Sequence, residues 1–337
     1  MRRRLAALLI LPALVLTACG GGDDSKKKDD AASSPSASAP PSQAPVPKPV
    51  DTASPLPKVT GADGKKATIT APKEKPSDKF VVKTLDKGDG ATVKSGELVM
   101  ANFTGKIWQG NKELGSSYDK GASPQLIPAG AKTVIPAFAD AVVGQKIGSR
   151  VLVVAPPAAA FGSAGSQQLG VTGTDTLIFV LDIKEVIPKR AQGTQSSIPS
   201  DLPQIKADKD APATISVPKN DPPKELVDKV LIEGKGATVK NGQTVYMQYS
   251  GATWKPNEGK PEATLFDSSW KTGSPFATVI GQGQVIEGWD KGLVGKKVGS
   301  RVLLVIPPAL GYKDQAQGDT IPANSTLVFV VDIVATA

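Results

Sequence analysis

Histidine does not occur in this chain of 337 residues, and cysteine occurs once, at position 19. Without histidine there is no Ser-His-Asp or Cys-His nucleophile and no His-ligated metal site. One cysteine allows no disulfide within the chain, and the common zinc sites go with it. Several other patterns are missing. Gly281-x-Gly283 and the other glycines follow strands without forming a phosphate-cradling motif. The formal charge is +8, yet no arginine cluster interleaved with aromatics accompanies it, so a nucleic-acid partner is not expected. No cofactor motif is found. Any catalysis must rest on carboxylates, lysines, hydroxyls, backbone groups or the environment they create.

The longest apolar run is short as well. Leu5–Leu16 follows Arg2, Arg3 and Arg4 and has the length of a secretory leader rather than of a membrane span. It ends in Leu16-Thr17-Ala18-Cys19, which resembles the bacterial lipoprotein cleavage box. Residues 1–18 are therefore read as a signal peptide, and Cys19 as the lipidation site of an extracytoplasmic, membrane-anchored protein. Removing the leader takes away three positive charges. Residues 19–53, rich in Ser, Ala and Pro, bury too little apolar surface to fold and read as a disordered, partly stiff tether. The charges around Lys26-Lys27-Lys28 are mixed with aspartates and read as solvated.

Beyond the tether the chain repeats itself. Gly90-Ala91-Thr92-Val93-Lys94 returns as Gly236-Ala237-Thr238-Val239-Lys240. Gly148-Ser149-Arg150 returns as Gly299-Ser300-Arg301, and Thr176-Leu177-Ile178-Phe179 as Thr326-Leu327-Val328-Phe329. Units of this length are whole domains with their own cores. The expected organisation is a first domain over 54–188, a linker over 189–199 and a second domain over 200–337. The Pro-rich segments 54–75 and 200–221 are copied too. Their short β-rich runs, Thr68–Thr70 and Thr214–Val217, suggest an extra edge strand or a strap on each domain. Within each repeat, alternating or fully apolar runs predict strands, such as Glu97–Phe103 with Gln243–Tyr249, and Arg150–Ala155 with Arg301–Ile306. With one short helix each, the fold class is α+β.

The most informative stretch runs from Phe266 to Trp289. Phe276–Ile280 reads as a strand, and Ile286, Trp289 and Leu293 have the spacing of a short amphipathic helix. Strand and helix thus deliver Phe276, Ile286 and Trp289 to one apolar place. From residue types alone this could be core, with Asp267 a turn or capping acid. Phe266-Asp267-Ser268-Ser269, Pro275-Phe276, Val285-Ile286-x-Gly288-Trp289, Gly311-Tyr312 and Ile321-Pro322 occur in the order and spacing that resemble FKBP-type peptidyl-prolyl cis–trans isomerases. The likeness covers about 226–334.

That resemblance implies two tandem domains, each an antiparallel sheet curved around one short helix, with a pocket between. Carried over position by position, the pocket comprises Tyr249, Phe266, Asp267, Phe276, Val285, Ile286, Trp289, Tyr312, Ile321 and Phe329. Ile286 would offer its N–H and Tyr312 its hydroxyl to a ligand, and Asp267 would partner Tyr249. Partners would be proline-containing polypeptides, with rapamycin-type macrolides as inhibitors, and no cofactor is implied. A non-catalytic binding module or holdase for Pro-containing segments is the alternative. Ser250 replaces the usual Thr, Lys313 replaces the usual Gly, and the loop 255–264 is longer than usual; the last two are expected at the pocket mouth. In the first repeat Phe103, Leu114, Gly115, Gln125, Phe138 and Phe161 stand where the second has Tyr249, Phe266, Asp267, Phe276, Trp289 and Tyr312. A degenerate first pocket follows.

Overall fold

Every residue of Arg150–Ala155 and of Arg301–Ile306 is buried. A strand side chain alternates between faces, so each of these strands must lie in a sheet covered on both sides. The computed structural model, which describes residues 45–337, shows what covers them. The expected leader, Cys19 and the tether up to residue 44 fall outside the described residues.

The first domain contains β1 (Lys58–Thr60), β2 (Thr68–Thr70), β3 (Val81–Asp86), β4 (Leu98–Ile107), β5 (Glu113–Ser116), β6 (Gln125–Pro128), α1 (Pro136–Val142), β7 (Arg150–Ala155) and β8 (Leu177–Ile187). The second repeats them as β9 (Gln204–Lys206), β10 (Thr214–Ser216), β11 (Val227–Ile232), β12 (Thr244–Thr253), β13 (Leu265–Ser268), β14 (Phe276–Val279), α2 (Glu287–Leu293), β15 (Arg301–Ile306) and β16 (Leu327–Thr336). Each main sheet is antiparallel and six-stranded. The orders are β3-β7-β8-β4-β5 and β11-β15-β16-β12-β13, with β6 and β14 continuing beside β4 and β12. β4 and β12 run past the expected ends at Phe103 and Tyr249, because their second halves pair with β5 and β13. The expected α+β class and tandem architecture hold.

The two faces of each sheet bury different things. Val302, Leu304 and Ile306 join Trp289 and Leu293 of α2 in one apolar cluster. Leu303 and Val305 face the other way and pack with Ile205, Ala213 and Ile215. In the first domain Val151 and Val153 face the helix side, while Leu152 and Val154 meet Ala67 and Ile69. The copied Pro-rich segments are therefore straps: β1-β2 and β9-β10 are separate two-stranded hairpins laid on the sheet, not extra edge strands.

The repeated Gly-Ser-Arg explains itself here. The Arg301 guanidinium forms a two-point pair with Asp332 (Nε–Oδ1 2.7 Å, Nη2–Oδ2 2.8 Å) and donates to the strap carbonyl of Ala207 at 2.7 Å. Arg150 does the same with Asp182 and the carbonyls of Gly61 and Lys65. Ser149 and Ser300 accept the N–H groups of Gly88 and Gly234, each at 2.9 Å. The indoles of Trp108 and Trp254 donate to Glu74 and Asn220, which ends each strap.

Three details depart from the sequence reading. Val50, assigned to the tether, exchanges backbone bonds with Phe80 and Val82. The linker residues lie on the second domain: Ala191 donates its N–H to Asp332 at 3.0 Å, and Ser196 its N–H to Leu231 at 2.7 Å. The loop 255–264 does not reach the pocket. Its Gly259 and Ala263 N–H groups bond to Val217 and Ile215, so the extra residues brace the strap. Met100 and Ile187 pack with Tyr246, Val334 and Ala335, which joins the two domains through an apolar contact.

Candidate active site

The cavity of the second domain opens between the sheet and α2 and has a volume of about 420 Å³. Its lining is Tyr249, Phe266, Asp267, Phe276, Val285, Ile286, Trp289, Tyr312 and Phe329, with Gly283 and Gln284 at one side. Nine of the residues inferred from sequence are thus brought together. Ile321 is buried in the apolar cluster behind the wall and does not line the cavity. Gly283 and Gln284 carried no side-chain signal, being placed by the backbone leading into α2.

Each wall residue is delivered by a specific element. Tyr249 lies on β12, where Gly251 is two residues on and on the same face. A Cβ at Gly251 would sit 2.7 Å from both Phe266 and Phe329, so only glycine lets those rings meet (centroids 5.5 Å apart). Trp289 stands edge-on to three rings: Phe329 at 5.2 Å, Tyr249 at 5.3 Å and Phe276 at 6.0 Å. Edge-to-face pairs at these spacings are favourable. Trp289 is 4% exposed, and its indole N–H is buried without a hydrogen-bond partner among the described residues.

The serines after Asp267 hold the strand, not the ligand. Ser268 Oγ donates to the Tyr249 carbonyl at 2.8 Å, and Ser269 Oγ accepts the Tyr249 N–H at 2.9 Å. Ser116 and Ser117 repeat both bonds around Phe103. Ser250 faces the strap and accepts the Ala213 N–H at 2.9 Å, so its departure from Thr leaves the cavity unchanged.

The polar groups are few. The Tyr249 hydroxyl donates to Asp267 Oδ2, and Lys271 stands 3.9 Å from Asp267 Oδ1. Burial, and then the hydrogen bond to Asp267, push the Tyr249 phenol well above its ordinary range. Burial, aided by the Asp267 charge, also raises the Tyr312 phenol. Neither the Tyr312 hydroxyl nor the Ile286 N–H is taken by a protein acceptor among the described residues. The site therefore offers two free donors above an aromatic floor. Lys313, next to Tyr312, is exposed and has φ 56°, a left-handed conformation rare for lysine.

In the first domain Phe103, Phe138 and Phe179 cluster, with Phe138 and Phe179 centroids 4.8 Å apart. Gln125 pairs across from Ala101 as Phe276 does from Met247, and Gly115 opposes Gly105 as Asp267 opposes Gly251. The scaffold is shared; the hydroxyls and the acid are not.

A family profile for FKBP-type peptidyl-prolyl cis-trans isomerases matches residues 90–184 and 235–334. An FK506-binding protein of Streptomyces anulatus is 42% identical over 122 residues, covering 36% of this chain and 94% of that protein. FK506-binding protein 1A of Neurospora crassa is 43% identical over 107 residues, covering 32% of this chain and 83% of its own. Twice within its length, this chain belongs to the FKBP-type peptidyl-prolyl cis-trans isomerase family.

Proposed function

We propose that the second domain catalyses cis–trans isomerisation of X–Pro bonds in proteins outside the cytoplasm, and that the first domain is weak or inactive. The observation that carries this reading is the aromatic cavity in which the Tyr312 hydroxyl joins the Ile286 N–H as an unclaimed donor; the first domain keeps the matching Ile135 but has Phe161 in place of the tyrosine. X–Pro rotation is slow because amide resonance raises a barrier of about 18–20 kcal/mol. The twisted transition state has a less dipolar carbonyl than the planar ground state. Walls formed by Phe276, Trp289 and Phe329 disfavour the planar dipole more, while the Tyr312 hydroxyl and Ile286 N–H fix the flanking carbonyls. No proton moves, which suits a chain without histidine. FK506-type and rapamycin-type macrolides are expected to compete for the same walls.

The test uses the full chain in a prolyl-isomerisation assay with Tyr312→Phe and Phe161→Tyr variants. Losing one hydrogen bond that counts in the transition state costs about tenfold in kcat/KM. Tyr312→Phe should show that loss and Phe161→Tyr no change in it. A parent chain that binds prolyl peptides without accelerating exchange would leave the holdase reading.

The location rests on Leu16-Thr17-Ala18-Cys19. We place the protein on the outer side of a membrane through lipid on Cys19. Labelling with a clickable fatty acid should tag the parent and not Cys19→Ala; an untagged parent refutes the anchor.

A further inference from the structure

We infer that Asp290 is a positioning residue for the second domain's site, holding the backbone wall that carries the Ile286 amide. The inference rests on the isomerase reading of that site. The wall is a continuous run, since Gly283, Gln284, Val285 and Ile286 all border the cavity. It begins in a turn with no regular structure of its own. Gly281 and Gly283 have φ of 82° and 68°, a region open to glycine at little cost.

One carboxylate fastens that turn. Asp290 Oδ1 accepts the Gly281 N–H at 2.6 Å, and Oδ2 accepts the Gly283 N–H at 2.8 Å. Bonds to a charged acceptor are shorter and stronger than neutral ones. The same residue is tied to the wall's other end, because Ile286 caps α2 and its carbonyl receives the N–H groups of Trp289 and Asp290 at 2.9 and 3.4 Å. Asp290 thus grips both ends of residues 281–286, with the pocket floor, Trp289, beside it. The outer side of the turn is held by Gln282, which donates to Asn241 at 2.5 Å.

The first domain shows the arrangement without the acid. Ala139 occupies the place of Asp290, and the Gly130 N–H goes to the Ala139 main-chain carbonyl at 2.9 Å. One neutral backbone bond there does the work of two charge-assisted ones. The acid is therefore not needed to form this turn and short helix. It is present in the domain whose cavity keeps its polar groups and absent from the one that lost them.

A carboxylate in the first turn of a helix also has a merely stabilising use, through the helix dipole. The experiment separates the two in the full chain with Asp290→Ala, Asp290→Asn and Asp290→Glu. It measures isomerisation of a prolyl peptide, thermal unfolding and amide exchange by residue. Expected are a loss of about tenfold in kcat/KM for Asp290→Ala at a temperature where it is fully folded, partial recovery in Asp290→Glu, and faster exchange at Gly281 and Gly283. Amides of β15 and β16 should stay as protected as in the parent. A folded Asp290→Ala chain with parental kcat/KM overturns the positioning role. If the parent chain turns over no peptide, the isomerase reading falls by that result, and parental exchange rates at Gly281 and Gly283 in the variant overturn the inference by a separate one.

Discussion

At the scale of single residues, the site's two phenols stay neutral across the physiological range. The Tyr249 and Tyr312 phenols are raised by burial and by the nearby Asp267 carboxylate. A free tyrosine titrates near pH 10. Because folding raises these values, the neutral phenols contribute stability in full below about pH 10 and lose it as pH climbs through the folded values. Isomerisation followed by exchange spectroscopy should accordingly show kcat/KM flat between about pH 6 and 9. The part of the denaturant midpoint that these phenols supply should be lost only above about pH 10. A step centred near pH 6.5 would contradict this, since the chain has no histidine to produce it. These residues were legible from sequence because aromatics, an acid and glycines recur in a fixed order. Asp290 was not: its importance lies in two backbone N–H groups that have no side-chain signature.

At the scale of elements, each domain depends on a strap that covers the face opposite its helix. The buried arginine joins strap and sheet, and Arg301 is 3% exposed while Asp332 is 4% exposed. Removing one partner of such a pair leaves an uncompensated buried charge, at a cost of about 3–5 kcal/mol. Arg301→Ala should lower the unfolding free energy by that amount in denaturant titrations. Amides at Ile205 and Ile215 should lose protection before those of β16. A change below 1 kcal/mol would mean that the strap is held by its apolar contacts alone. The strap could be suspected from sequence because Thr68-Ile69-Thr70 recurs as Thr214-Ile215-Ser216. Its exact seat could not, since two short hairpins and two edge strands have the same local pattern. The loop 255–264 was misplaced for a related reason. Its length was visible, but its partners, Ile215 and Val217, lie 40 or more residues earlier, and pairing at that distance is fixed only by the fold.

At the scale of the whole molecule, the domains are coupled by more than a tether. Met100 and Tyr246 occupy matching positions in the two repeats and meet in one apolar cluster, and the Tyr246 hydroxyl donates to the Pro124 carbonyl at 3.3 Å. The linker residue Ala191 bonds to Asp332, whereas in the first domain the matching acid, Asp182, takes the Tyr118 hydroxyl. Trp270 holds the place of Tyr118 in the second repeat, so the acid is free to accept the linker. Contacts between domains of one chain are commonly too small to prevent relative motion. Here an apolar seam and a pinned linker act together. Tyr246→Asp should release them, seen as a larger radius of gyration in small-angle scattering with both domains still folded. An unchanged radius would show the linker alone to be sufficient.

The double covering of each sheet has a consequence for encounter. With a helix on one face and a hairpin on the other, neither broad surface is available to a visiting chain. Among the described residues the exposed large apolar side chains are four valines and Phe276, which is 38% exposed. A flexible polypeptide drifting past the second domain thus finds a single sticky aromatic, and that aromatic stands on the threshold of the cavity. Capture and entry become the same event, and the described residues offer neighbouring copies no flat greasy plane on which to stack.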